Sequence, residues 1–169
     1  MPTYLEKLEF SVERLSEALH LPQEDILEYF RDGRRVSFVC ERRVAYEYLQ
    51  GTLAPSEGAA FDVLDSQGKK WEIRSLGKGG VYFCPSYMVG SGRSFNEEGF
   101  LRKLDEIEGY IVCGIMEFPS VPIWKIRADA VRSAWESGRL GKTTKISPEK
   151  FRRIFSMAFE QVQEEGRLG

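Results

Sequence analysis

The chain has one histidine, His20, and only three cysteines, Cys40, Cys84 and Cys113, spread over 169 residues. A lone imidazole with no C-x-x-C pair gives neither zinc-site spacing nor a thiol redox motif. His20 lies in EALHLPQ at an expected helix end, a structural position, so nucleophilic catalysis through histidine has no support. The cysteines read as reduced, buried thiols. No apolar run approaches the roughly 20 residues that cross a bilayer. The opening MPTYLEKLEFSVERL carries acids and no apolar core of a secretory signal, so the expectation is a cytoplasmic protein without membrane association. Neither sign of charge dominates: 24 Lys and Arg face 26 Asp and Glu, a net charge of −2. Attraction of nucleic acid to the whole surface is thereby excluded, whereas a local basic surface is not. Basic clusters stand at 33–35, 41–43, 68–70 and 150–153, and each alone is also what a solvated face looks like.

The hydrophobic fraction of 42% and aromatic fraction of 12% describe a folded chain of one-domain size. Ser11 caps an expected helix over VERLSEALH, and Pro22 opens a second, QEDILEYFRD, closed by Gly33. The pair is either a DNA-reading helix-turn-helix or a packing hairpin. A third helix over VSFVCERRVAYEYLQ lines up Val36, Cys40, Val44 and Glu47, turning Glu47 toward a cleft or the rim of the core. After 51–58 the pattern changes to short alternating runs. AFDVLD and KKWEIRSL flank a turn at Gly68, VYFCPSYMV reads as a strand bent at Pro85, and NEEGFLRKLDEIEG reads as a helix. YIVCGIMEF is an expected central strand, followed by VPIWKIR, the helix ADAVRSAWESG, the loop GKTTK and a closing helix over SPEKFRRIFSMAFEQVQEE. The order predicts an α/β (α+β) fold: an N-terminal helical segment over 1–35, then a mixed central sheet flanked by helices over 36–169.

Chemistry concentrates in FDVLDSQGKKWEIRS, residues 61–75. Strand alternation puts Lys70, Glu72 and Arg74 on one face and turns Trp71 and Ile73 to the core, which fixes the register. Asp62 begins the preceding strand, where it can approach Glu72. Two converging carboxylates form half a shell for a hard divalent cation such as Mg²⁺, whose chemistry suits phosphodiester hydrolysis. An ordinary charged hairpin has the same alternation.

The segment Asp62-x-x-Asp65-x-x-Gly68-x-x-Trp71-Glu72-Ile73-Arg74-Ser75 resembles the active-site hairpin of the PD-(D/E)xK nuclease superfamily, and within it the small homodimeric type II restriction endonucleases. The resemblance extends more loosely over 57–135. It implies a restriction-endonuclease-like catalytic domain over 36–169, with Asp62 and Glu72 as Mg²⁺ ligands and Glu57 as an accessory acid. Arg74 takes the place of the family lysine, which orients or activates the attacking water. The implied function is sequence-specific cutting of double-stranded DNA in a restriction-modification system, by a homodimer with a companion DNA methyltransferase. Arg74 is the departure. A guanidinium holds water or phosphate but does not accept a proton. If holding the water suffices, Arg74 does the lysine's work and the enzyme is active, which is the expectation. If a base is required, Lys70 on the same face must supply it, or the chain is a weak or inactive DNA-binding protein on the same fold. An interaction module without a nucleic-acid role is a third reading, suggested by the acidic net charge. Such an enzyme needs phosphate contacts for position and base contacts for sequence. Candidates are Lys78, Tyr82, Ser86, Tyr87, Ser91 and Arg93 after the hairpin, and Lys142, Thr143, Thr144 and Lys145 in GKTTK. Arg93 is either a base or phosphate contact or an exposed loop arginine.

Overall fold

The computed structural model describes residues 3–56 and 59–156. Strand β1 (Thr3–Glu9) precedes helices α1 (Val12–Leu19), α2 (Gln23–Phe30) and α3 (Gly33–Arg43). The last of these widens into a π-helical turn, Val44–Tyr48. Strands β2 (Thr52–Leu53), β3 (Val63–Leu64), β4 (Lys70–Ser75) and β5 (Val81–Tyr82) follow, then a 3-10 turn at Ser86–Met88. Helix α4 (Glu97–Glu106) leads to β6 (Gly109–Cys113), β7 (Ser120–Arg127) and α5 (Ala128–Glu136). The described chain closes with β8 (Lys145–Ile146) and α6 (Pro148–Phe151), which runs into a π-helical turn, Arg152–Ser156.

A six-stranded mixed sheet in the order β1-β7-β6-β4-β3-β2 forms the middle layer. Strand β4 runs parallel to β6, and the remaining neighbours are antiparallel. A parallel pair needs a crossover connection, and here that crossover carries β5 and α4, which brings α4 across the face of β4. Both faces are covered. Trp71, Ile73, Ile111 and Ile123 pack with Ile26, Phe30, Val36 and Cys40 of the N-terminal helices. Tyr110, Val112 and Ile126 pack with Phe100 and Leu104 of α4, Val131 of α5 and Phe151 of α6. Strand β6 is buried along its whole length, as an apolar central strand requires. The three cysteines are free and buried. Among the described residues no helix is long and apolar enough to cross a membrane.

The N-terminal segment differs from an all-helical one. Residues Thr3–Glu9 form an edge strand paired with β7, from Thr3 opposite Lys125 to Glu9 opposite Ser120. Leu8 shares a hydrophobic cluster with Ile26, Ile73 and Ile111, so the segment is built into the same core. Helix α2 turns Ile26 and Phe30 inward, with Phe30 stacked on Phe118 at 5.0 Å, and exposes Glu24, Asp25 and Glu28. The helix packs against the sheet through Ile26 and Phe30, and its acidic outer face is unfavourable to phosphate. The expected strand over VYFCPSYMV is reduced to Val81–Tyr82, which pairs outside the main sheet with Lys145–Ile146. Beyond it Pro85 caps a 3-10 turn. Of the expected closing helix, only the part up to residue 156 lies within the described residues.

Candidate functional site

The hairpin forms as its sequence dictates. Gly68 sits at φ 77° in the turn, and Asp65 N–H and Gly68 N–H close it onto Lys69 O and Asp65 O. The β3–β4 ladder runs only over Val63–Leu64, and Asp62 stands just before it. There the Asp62 side chain extends the pairing, its Oδ2 accepting from Ile73 N–H at 2.7 Å. Trp71 and Ile73 are buried on the opposite face, which holds Glu72 and Arg74 on this one. Glu72 Oε1 pairs with Arg74 Nη2 at 2.6 Å. Arg74 also donates to Ile73 O and Cys84 O, which clamps the guanidinium in place.

Glu72, Asp62 and Arg74 line a cavity of about 580 Å³ together with Glu41, Ser86, Tyr87, Arg102, Lys103 and Glu106. Glu41, Arg102, Lys103 and Glu106 were not anticipated, and Lys103 and Glu41 are the two that are not fully exposed. Lys103 Nζ of α4 donates to Glu72 Oε2 and to Ala60 O, with its side chain only 10% exposed. The available signal was its place beside Phe100, Leu104 and Ile107 on the apolar stripe of α4, where a lysine needs a buried partner. Glu41 follows Cys40 on α3, one turn before the fully buried Ala45. It makes no hydrogen bond or ion pair with the described residues, although it is only partly exposed.

Besides the exposed Glu106 and Arg102, three carboxylates, Glu41, Asp62 and Glu72, thus share the cavity with the cations of Arg74 and Lys103. Burial first, then the charge of Asp62, pushes the Glu41 carboxyl up to about 7. Burial and the neighbouring Glu72 likewise raise Asp62, against the opposing pull of Ile73 N–H, Arg74 and Lys103. Burial disfavours charge on Arg74, but Glu72, Tyr110 and Asp62 outweigh it and keep the guanidinium protonated. The cavity therefore holds surplus negative charge that a small cation would relieve. Among the described residues no three His, Cys, Asp or Glu side chains already stand in metal-holding geometry. The donor chemistry still fits a hard divalent cation: Asp62 Oδ1 and both Glu41 oxygens are free of hydrogen bonds to the described residues. Glu72 is engaged on both oxygens and could join them only by releasing Arg74 or Lys103 from one.

The other expected residues scatter. Lys70 is exposed at the start of β4, its Nζ 5.4 Å from the Phe61 ring, and does not line the cavity. The alternation is right, but the strand carries Lys70 past the cavity's end. Glu47 is exposed and forms a fork with Arg43 at 2.7 and 2.8 Å, because the π-helical turn rotates it away from the stripe of Val36, Cys40 and Val44. Glu57 lies outside the described residues. Ser86 and Tyr87 reach the cavity, and Tyr87 is 63% exposed. Gly99 makes this approach possible, since a Cβ there would lie 2.8 Å from the Tyr87 hydroxyl and 2.7 Å from Met88 Cε. Ser91 is exposed in the following loop, whereas Arg93 Nη1 is committed to Ser86 O and Val89 O, bracing that loop. Lys78 lines a separate groove with Glu24, Glu28 and Met116. Lys142 and Thr143 are exposed, and Lys145 lies across from Tyr82, 5.1 Å from its ring. Thr144 is fully buried. Its hydroxyl accepts from Cys84 N–H at 2.9 Å, so it anchors GKTTK rather than facing a ligand.

No family model matches the chain, and no curated protein or solved structure is significantly similar to it.

Proposed function

We propose that this protein is a Mg²⁺-dependent deoxyribonuclease that hydrolyses phosphodiester bonds at the Glu41–Asp62–Glu72–Arg74–Lys103 cavity. The reading extends to a restriction-endonuclease-like fold, and to sequence-specific cutting of double-stranded DNA by a homodimer with a companion methyltransferase. The observation that carries it is the meeting of Asp62 and Glu72, from adjacent strands, with a buried ammonium and a buried guanidinium in one cavity. Bound Mg²⁺ would polarise the scissile phosphate and ease deprotonation of the attacking water. Asp62 and Glu41 would hold it, with Glu72 joining as one of its cation pairs opens. Arg74 stays charged and directs charge-assisted hydrogen bonds at phosphate oxygens, where negative charge grows in the transition state. Lys103 is tethered by Glu72 and the Ala60 carbonyl, which leaves its remaining N–H to orient a water or a phosphate oxygen.

The non-catalytic reading rests on Arg74 standing where the resemblance calls for lysine. Lys103 answers it, because it brings to the same cavity the ammonium that position 74 lacks. The test is digestion of a mixed-sequence plasmid with Mg²⁺ and with EDTA. Discrete Mg²⁺-dependent fragments, lost in Asp62→Ala, support the full reading, and a smear retains the nuclease while removing the sequence specificity. An intact plasmid under all divalent conditions, or cutting that survives Asp62→Ala, refutes the reading.

A further inference from the structure

Away from the acidic cavity, a second one of about 400 Å³ is lined by Gly138, Arg139, Lys150, Arg153 and Ile154. Among the described residues that line it, three cations face it without a carboxylate, in a chain whose net charge is −2. None of the three forms an ion pair with the described residues, whereas the adjacent Arg152 pairs with Glu117 at 3.0 Å. Arg139 uses its Nε on Ser137 Oγ at 2.9 Å, which leaves its terminal amino groups free of hydrogen bonds to the described residues. The end of α5 does not absorb this charge. Its carbonyls at Ser133, Ala134 and Trp135 already accept from Ser137, Leu140 and Gly138 N–H. Crowded cations repel one another, so an arrangement without counter-charge is stabilised by an anion from outside.

The walls are rigid. Leu140, Phe151 and Phe155 are buried beneath them, and Gly138 at φ 71° leaves open space where a side chain would stand. The two cavities share no lining residue, but a run of contacts leads from this one to the acidic one. Lys150 Nζ lies 3.8 Å from where a Cβ on Gly141 would be, and Gly141 leads into GKTTK. Thr144 of that loop is bonded to Cys84, whose carbonyl accepts from Arg74. Lys142 and Lys145 of the same segment are exposed.

We infer that the Arg139–Lys150–Arg153 cavity is a phosphate-binding site that grips the backbone of a nucleic-acid strand. This rests on the proposed function for the class of strand, but its test is independent of cutting. Binding of a labelled duplex is measured in EDTA across a salt series, for the wild type and for the combined Arg139→Gln, Lys150→Gln, Arg153→Gln variant. The variant is expected to bind at least about tenfold more weakly near 0.15 M salt, with the slope of log K against log salt reduced by about one to two. A charge-retaining Arg139→Lys, Arg153→Lys variant is expected to keep most of that slope, which a misfolded surface would not. Unchanged affinity and slope in the Gln variant, or no duplex binding by the wild type, overturns the inference. So does a titration in which the Gln variant loses binding of inorganic pyrophosphate but keeps duplex binding, since the ligand would then be a small anion. The nuclease reading falls separately: Mg²⁺-dependent cutting at low salt by both proteins leaves it standing whatever happens to the slope.

Discussion

Asp62 and Asp65 stand three residues apart on one hairpin and meet opposite environments. Asp65 faces the side of Trp71 and collects donors: the indole Nε1–H at 2.9 Å and the backbone N–H groups of Gln67 and Lys69, each at 2.9 Å. Burial opposes its charge, but those hydrogen bonds win and hold the carboxyl below the usual range. Asp62 faces the cavity, receives one backbone N–H, and is pushed upward by burial and Glu72. A carboxylate surrounded by donors shapes a turn. One left short of donors beside other carboxylates is the one the proposed function assigns to a cation. This contrast, more than the presence of acids, distinguishes the two aspartates on the same fifteen residues.

The sharpest way to break the comparison is to neutralise each aspartate in turn. Asp62→Asn is expected to reduce Mg²⁺-dependent cutting by roughly 10³-fold, since a cation's stabilisation of the transition state amounts to several kcal/mol. Its thermal stability should hold or rise slightly, because a crowded charge is removed. Asp65→Ala should do the reverse: a loss of about 1 kcal/mol in urea unfolding as the turn N–H groups and the part-buried Trp71 indole lose their acceptor, with cutting by the folded protein near wild type. Equal losses of cutting in both variants would erase the distinction.

Lys103 extends the contrast to cations. Lys103→Met is expected to lower single-turnover cutting about 10²-fold, the usual scale for loss of one preorganised charged donor. Lys70→Met, on the same strand as Glu72 but outside the cavity, should change the rate by less than about twofold. Stopped cutting in the Lys70 variant with normal cutting in the Lys103 variant would return the role to the strand.

Much of this site was legible because it is local. Alternation over 70–75 placed Glu72 and Arg74 together, and Gly68 located the turn that brings Asp62 alongside. What was illegible depends on distant packing. Lys103 meets Glu72 across 31 residues, through a crossover that strand periodicity cannot foresee. Glu47 was misplaced because a helical stripe assumes about 3.6 residues per turn, and the π-helical turn at Val44–Tyr48 breaks that assumption. Strand β1 was missed because its register against β7 shifts between Tyr4 and Lys7, which interrupts the period-two pattern that marks a strand.

Glu41 gives the smallest and most diagnostic effect. Its folded carboxyl titrates near 7 against an ordinary 4.5, so between those values the folded state binds more protons than the unfolded one. Unfolding free energy then falls as pH rises through that window. The penalty is absent below 4.5, where both states are protonated, and complete above 7, where both are ionised. Glu41→Gln removes the charge and with it the penalty. Discounted for the partial exposure of the side chain, the variant should be about 1 kcal/mol more stable than wild type at pH 8, with the difference vanishing near pH 4. Millimolar Mg²⁺ should shrink the pH 8 difference, because a cation bound to the wild-type carboxylates supplies the counter-charge they lack. Paired urea titrations at the two pH values, with and without Mg²⁺, make the measurement. A difference independent of pH would mean that Glu41 is an ordinary surface acid, and would return the surplus charge to Asp62 and Glu72 alone.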